Sequence, residues 1–186
     1  MKRTPAFLAL AALVALPLAL LVPGCSSTLP RRDPVGETFP TVQGMALDDT
    51  PTELPGDYAG EPVVLLVGYL QGTQFDIDRW VLGLMQAGAS ARMVEIPTIP
   101  SLAASFASGW IDEGMRSGIP EEDWGAVVTV YGSAAEPIAR FTGTERGRNA
   151  RVLVLDASGQ VRWFSDTGYS PRKAAEVAAL LEELAE

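Results

Sequence analysis

The arrangement of apolar and polar positions divides the chain in two. Ala6 to Val22 is an apolar run interrupted only by Pro17, and it follows the basic residues Lys2 and Arg3. From Val35 onward the apolar positions come in short blocks. Val35 to Pro40 opens this part, and Pro40 and Gly44 punctuate an irregular or edge-strand region. Val63-Val64-Leu65-Leu66-Val67-Gly68-Tyr69 is continuous, the pattern of a strand buried on both faces. Phe75 to Ala87 sets Phe75, Ile77, Trp80, Val81, Leu84 and Met85 at three- and four-residue spacing, which predicts a helix with one buried stripe. Ala91 to Ile96 predicts a second strand, Ser101 to Arg116 a second helix broken near Ser117-Gly118, and Ala126 to Tyr131 a third strand. Arg151 to Asp156 and Gln160 to Phe164 flank Ala157-Ser158-Gly159 and read as a β-hairpin. Pro171 to the end predicts a final helix, with Ala174, Val177, Ala178, Leu181 and Leu184 on one stripe.

The order strand–helix–strand–helix–strand–hairpin–helix implies an α/β domain, a mixed sheet with helices on its faces. Its 186 residues suit one such domain. Charge and composition then remove whole classes of function. A net charge of −9 argues against nucleic acid, where basic patches supply most of the affinity. The absence of His removes the commonest general base and rules out a Ser–His–Asp triad. A single Cys permits no internal disulfide, no CxxC pair and no Cys-rich zinc site. The paired carboxylates Asp48-Asp49, Asp112-Glu113 and Glu121-Glu122-Asp123 lack calcium-loop spacing and read as solvated charge. No metal and no cofactor is expected.

The apolar run after two basic residues reads as a signal peptide. It ends in Leu21-Val22-Pro23-Gly24-Cys25, which resembles the bacterial lipoprotein signal, although Pro23 stands where a small or aliphatic residue is usual. The resemblance implies residues 1–24 as signal peptide, a diacylglycerol thioether and acylated amine on Cys25, and a flexible tether over residues 25–34. Several acyl chains are enough for stable membrane anchoring. The expected location is the bacterial envelope, facing the periplasm or exterior. Ser26 after the Cys favours the outer membrane in a cell with two membranes. An uncleaved anchor and an ordinary secretory signal are the alternatives.

Residues 35–186 carry a second resemblance. Val35-Gly36-Glu37-Thr38-Phe39-Pro40, then Leu54, then Gly60-Glu61-Pro62-Val63-Val64-Leu65-Leu66 looks like the opening of peroxiredoxin-like and thioredoxin-like domains. The hairpin from Val152 to Val161 is similar to the one that closes their sheet. Within that superfamily, Phe39-Pro40 and the missing cysteines are similar to the mitochondrial ATP-synthase assembly factors. The family's redox pair falls at the start of the first helix, here Gln71-Gly72-Thr73-Gln74-Phe75, where no Cys stands. Its cis-proline falls at about Ala150, after Asn149. The resemblance therefore implies the fold without thiol–disulfide exchange or peroxide reduction.

Ligands favour the C-terminal strand edge of open α/β sheets. Gln71, Thr73, Gln74, Asp76, Asp78 and Arg79 stand at that edge as candidate binding residues, and Glu95 and Thr98 are candidates to line the same cleft. The competing reading makes Asp76 and Asp78 helix-dipole carboxylates, Asp–Arg a surface pair, and Glu95 to Pro100 an ordinary X-Pro loop. Trp110, Asp112, Met115 and Arg116 form a candidate interaction patch, unless Trp110 and Met115 pack inward. The leading expectation is a non-catalytic, membrane-anchored binding or assembly module, whose partner is an envelope protein or membrane complex. The alternative is an enzyme or small-ligand binder that uses the carboxylate and Arg cluster.

Overall fold

A computed structural model describes residues 28–101 and 105–186. The expected signal peptide, Cys25 and the start of the expected tether lie outside them. Among the described residues no helix is long and apolar enough to cross a membrane.

The six residues of strand β3 (Val63–Gly68) are all buried, as a continuous apolar run requires. It pairs in parallel with β4 (Arg92–Ile99) through helix α1 (Gln74–Gln86). On its other side it pairs antiparallel with β6 (Arg151–Leu155), which turns through the predicted hairpin into β7 (Val161–Ser165). At the turn the Asp156 carboxylate accepts the backbone N–H of Ser158 at 2.9 Å and of Gln160 at 3.1 Å. Beyond β4 lie β5 (Val128–Tyr131) in parallel, then β1 (Val42–Ala46) and β2 (Pro51–Leu54), both antiparallel to their neighbours. The seven-stranded order is β2-β1-β5-β4-β3-β6-β7.

Alternation along the strands makes two cores. Leu65, Val67, Val94, Ile96, Leu153 and Leu155 face Phe39, Ile138 and Phe141, the last two from helix α3 (Glu136–Thr142). Val64, Leu66, Val152 and Val154 face Ile77, Trp80 and Leu84 of α1 and Ala174, Val177 and Leu181 of helix α4 (Pro171–Leu184). Trp80 is fully buried edge-on to Trp163 and Tyr169, with centroids 5.7 and 5.6 Å apart. The Tyr169 ring lies on Gly83, where a Cβ has no room. α4 starts as predicted, with Ser170 capping Lys173 N–H and Pro171 in the first turn.

Three departures from the sequence expectation have local causes. The region around Gly44 is a paired hairpin, β1–β2, because Gly44 lies flat against Val128 and Thr129 of β5 where a side chain does not fit. β4 runs on to Ile99, past Pro97, which sits at the last rung shared with β3 (Gly68↔Pro97). Residues 29–34 do not hang free of the domain. Leu29 N–H donates to Thr144 Oγ1 at 2.8 Å, Leu29 C=O accepts Thr144 N–H at 3.0 Å, and Arg31 pairs with Asp166 at 2.8 Å. The Pro30–Arg31 backbone crosses so close to Gly143 (φ 72°) that only glycine fits there.

Candidate functional site

The C-terminal edge of β3 meets four other segments: the turn Gln71–Thr73, the first turn of α1, the loop 143–150 before β6, and residues 166–169 after β7. Their junction is Asp76. It stands in the first turn of α1 but is only 8% exposed. Oδ2 accepts the Ala150 N–H and Oδ1 the Tyr169 N–H, each at 2.9 Å. The Asn149–Ala150 peptide is trans, and its N–H points at the start of α1. A buried amide there needs an acceptor, and the carboxylate supplies it. Asp76 thus joins three segments distant in sequence and offers no free oxygen to a ligand. The sequence expectation of an accessible binding carboxylate, or of a surface pair with Arg79, gives way to an internal one.

Thr73 is also internal. It is buried, donates to Gly147 C=O at 2.7 Å and accepts Leu70 N–H at 3.3 Å. Glu95 and Thr98 do not share a cleft, because an odd spacing along a strand sends them to opposite faces. Thr98 is fully buried, with its hydroxyl on Ile96 C=O at 3.0 Å. Glu95 faces α1 and accepts Gln74 Nε2 at 3.2 Å, while the same amide donates to Asp78 at 2.9 Å. Burial holds the Glu95 carboxyl above the usual carboxylate range, partly offset by the Gln74 hydrogen bond. Gln71, Gln74, Asp78 and Arg79 are exposed.

Arg151, unnoticed as a lone charge at the head of an apolar strand, is 1% exposed. Its guanidinium is wrapped by backbone carbonyls: Gly143 on Nε at 3.2 Å, Arg146 and Asn149 on one terminal nitrogen at 3.2 and 2.8 Å, and Glu145 on the other. The Tyr69 ring covers it at 5.0 Å. Burial pushes the Tyr69 hydroxyl up to about 12, and that hydroxyl bonds Thr142 Oγ1 at 2.7 Å. Burial also lowers the guanidinium from its ordinary value, but an arginine remains cationic at neutral pH. Arg151 therefore shapes the loop 143–149 from within. Two further arginines of that loop, Arg146 and Arg148, point out and form no ion pair among the described residues. The clustering of arginines between 140 and 151 in an acidic chain was the available signal.

The second predicted patch splits. In helix α2 (Ser108–Arg116), Asp112 accepts the Tyr131 hydroxyl at 2.6 Å. Arg116 donates to Leu47 C=O and Asp49 at 2.6 Å each and lies over Trp124. Met115 is half-buried. Trp110 alone of the four faces outward, 82% exposed, beside the exposed Phe106. On α1, Phe75, Leu82 and Met85 are exposed as well. Two open concavities of about 250 and 320 Å³ share Asp57, Tyr58 and Arg92, at the opposite end of β3 and β4 from Asp76. Among the described residues no three His, Cys, Asp or Glu side chains converge as a metal site would need.

No protein-family model matches the chain. No curated protein sequence matches it. Solved structures do. A SCO1/SenC family lipoprotein from Bacillus anthracis str. Ames aligns over 84% of this chain and 100% of its own, at 16% identity and TM-score 0.51. BsSco, a member of the Sco family of cytochrome c oxidase assembly proteins, aligns over 83% and 96%, at 9% identity and TM-score 0.54. A thiol peroxidase from Chromobacterium violaceum aligns over 83% and 93%, at 11% identity and TM-score 0.54. Sheet order, helix placement and these alignments agree: the chain has the thioredoxin-like fold.

Proposed function

We propose that this is a membrane-anchored, non-redox thioredoxin-like module that binds or helps assemble an envelope protein or membrane complex. The observation that carries the reading is the junction at Asp76. Where the resemblance implies the redox pair, this chain has Gln71-Gly72-Thr73-Gln74-Phe75 with no Cys, and the Thr73 hydroxyl and the neighbouring Asp76 carboxylate are spent on backbone groups. Neither side chain is free to act as a nucleophile at this edge. Beside it, α1 offers Phe75, Leu82 and Met85 interleaved with Gln74, Asp78 and Arg79, an apolar stripe with polar neighbours of the kind partners use. A structural neighbour that is a lipoprotein and another from a family of assembly proteins support the reading. So does the sequence ending in Gly24-Cys25, which supports lipid anchoring at the envelope surface.

The test is a photo-cross-linker at Leu82, exposed in the middle of that stripe. Thr73 is too buried to report on a partner. One reproducible envelope-protein adduct, lost when Phe75 and Met85 are replaced by Ser, is the expected result. No adduct from a correctly anchored protein would overturn the binding role. Thiol–disulfide exchange or peroxide turnover above a no-protein control would overturn the non-redox one.

A further inference from the structure

We propose that the edge carrying Leu70 and the loop 143–149 lies against the membrane surface, and that its ligand is an anionic phospholipid bilayer. The inference rests on the lipid anchor at Cys25. Thr28 lies only three positions after Cys25, a reach of roughly 10 Å at full extension. From Leu29 the chain is fastened to Thr144, Glu145 and Asp166. An anchored Cys25 therefore holds the loop 143–149 within about the thickness of one leaflet's polar layer.

The residues presented there suit that surface. Arg146 and Arg148 project from the loop with no ion pair among the described residues, in a chain of net charge −9. Anionic headgroups attract such side chains within a Debye length. Leu70 packs on Gly147 of the same loop and is still 55% exposed, placed to enter the interface. The loop's own conformation is fixed by Arg151 from within, so the two outer arginines are held in place by a folded loop. The opposite edge, around Glu61, lies across the length of β3 from Leu70, about 20 Å away.

The lipidated, full-length protein can be reconstituted in phosphatidylethanolamine–phosphatidylglycerol vesicles doped with a nickel-chelating lipid. Because Cys25 is the sole cysteine and its thiol carries the lipid, L70C or E61C provides a unique site for a spin label. The expected result is several-fold stronger relaxation of the label at 70 than at 61. Replacing both outer arginines (R146Q/R148Q) should weaken the face-down population roughly 30-fold, and added salt should mimic it. Equal relaxation at the two positions in protein that floats with the vesicles overturns the inference and leaves the anchor standing. A label at 70 shielded only in native envelopes assigns the edge to a protein partner and also overturns it. Protein that fails to float sinks the anchor and the inference together.

Discussion

Helices α1 and α2 are fastened to the same sheet in different ways. α1 buries Ile77, Trp80, Gly83 and Leu84 and adds the buried carboxylate of Asp76. α2 buries no residue and holds on through Arg116 and Asp112. The first kind of attachment is shared with the whole core, so α1 opens only when the domain unfolds. The second is local and partly wet, so α2 can detach while the sheet stays intact. The outward side chains follow from this. α1 can display Phe75, Leu82 and Met85 because its other face is firmly anchored, whereas Trp110 and Phe106 sit on a segment with little holding it.

Substitutions at four positions sharpen or break that contrast. Trp80→Ala should cost the most, about 3–5 kcal/mol, read as a fall in the urea midpoint. W80F should cost much less, since it keeps an aromatic ring and deletes an indole N–H that has no partner in the core. A W80A loss under about 1 kcal/mol would show that α1 is not held by its apolar face. Asp76→Ala leaves one buried and one half-buried amide without an acceptor and should cost about 2–4 kcal/mol. Unchanged stability there would mean the junction closes without the carboxylate. Arg116→Ala should cost about 1 kcal/mol in the attachment of α2 to the sheet. Its signature is local: amide exchange across 108–116 should accelerate while β3 and α1 stay protected. Uniform acceleration would refute the independence of α2.

Glu95→Gln should have the smallest effect, and its sign depends on pH. Burial keeps the folded carboxyl's pKa above its ordinary 4.5, so the native state binds more protons than the unfolded chain. Stability should therefore fall as pH rises from 4.5 through the folded value, and E95Q should abolish that decline. The check is the urea midpoint of both proteins on either side of that window. Parallel curves would show that Glu95 is effectively solvated.

Much of the frame was legible in the sequence because its signals are local. The unbroken run of β3, the hairpin residues around Gly159 and the Ser170-Pro171 start of α4 each announce themselves within a few positions. α3 was missed because it is seven residues long with Pro137 in its first turn, too short for a periodic signal. The site was the least legible part. Asp76 looks like any first-turn acid, but its partners lie 74 and 93 residues away. Arg151 looks like a strand residue, and its acceptors are main-chain carbonyls with no side-chain signature. Backbone partners reached through tertiary closure leave no mark on residue pattern.

The strap from Leu29 to Phe39 has a mechanical consequence. It is laced to the domain in series: first to Thr144 and Glu145, then by Gly36, Glu37 and Phe39 to the hairpin at Gly159 and Val161. If Cys25 is anchored as proposed, a pull on it would load the Leu29–Thr144 bonds first and reach the hairpin only after they part. Under such a load the strap would act as a tension fuse, yielding at the loop before the two cores are strained.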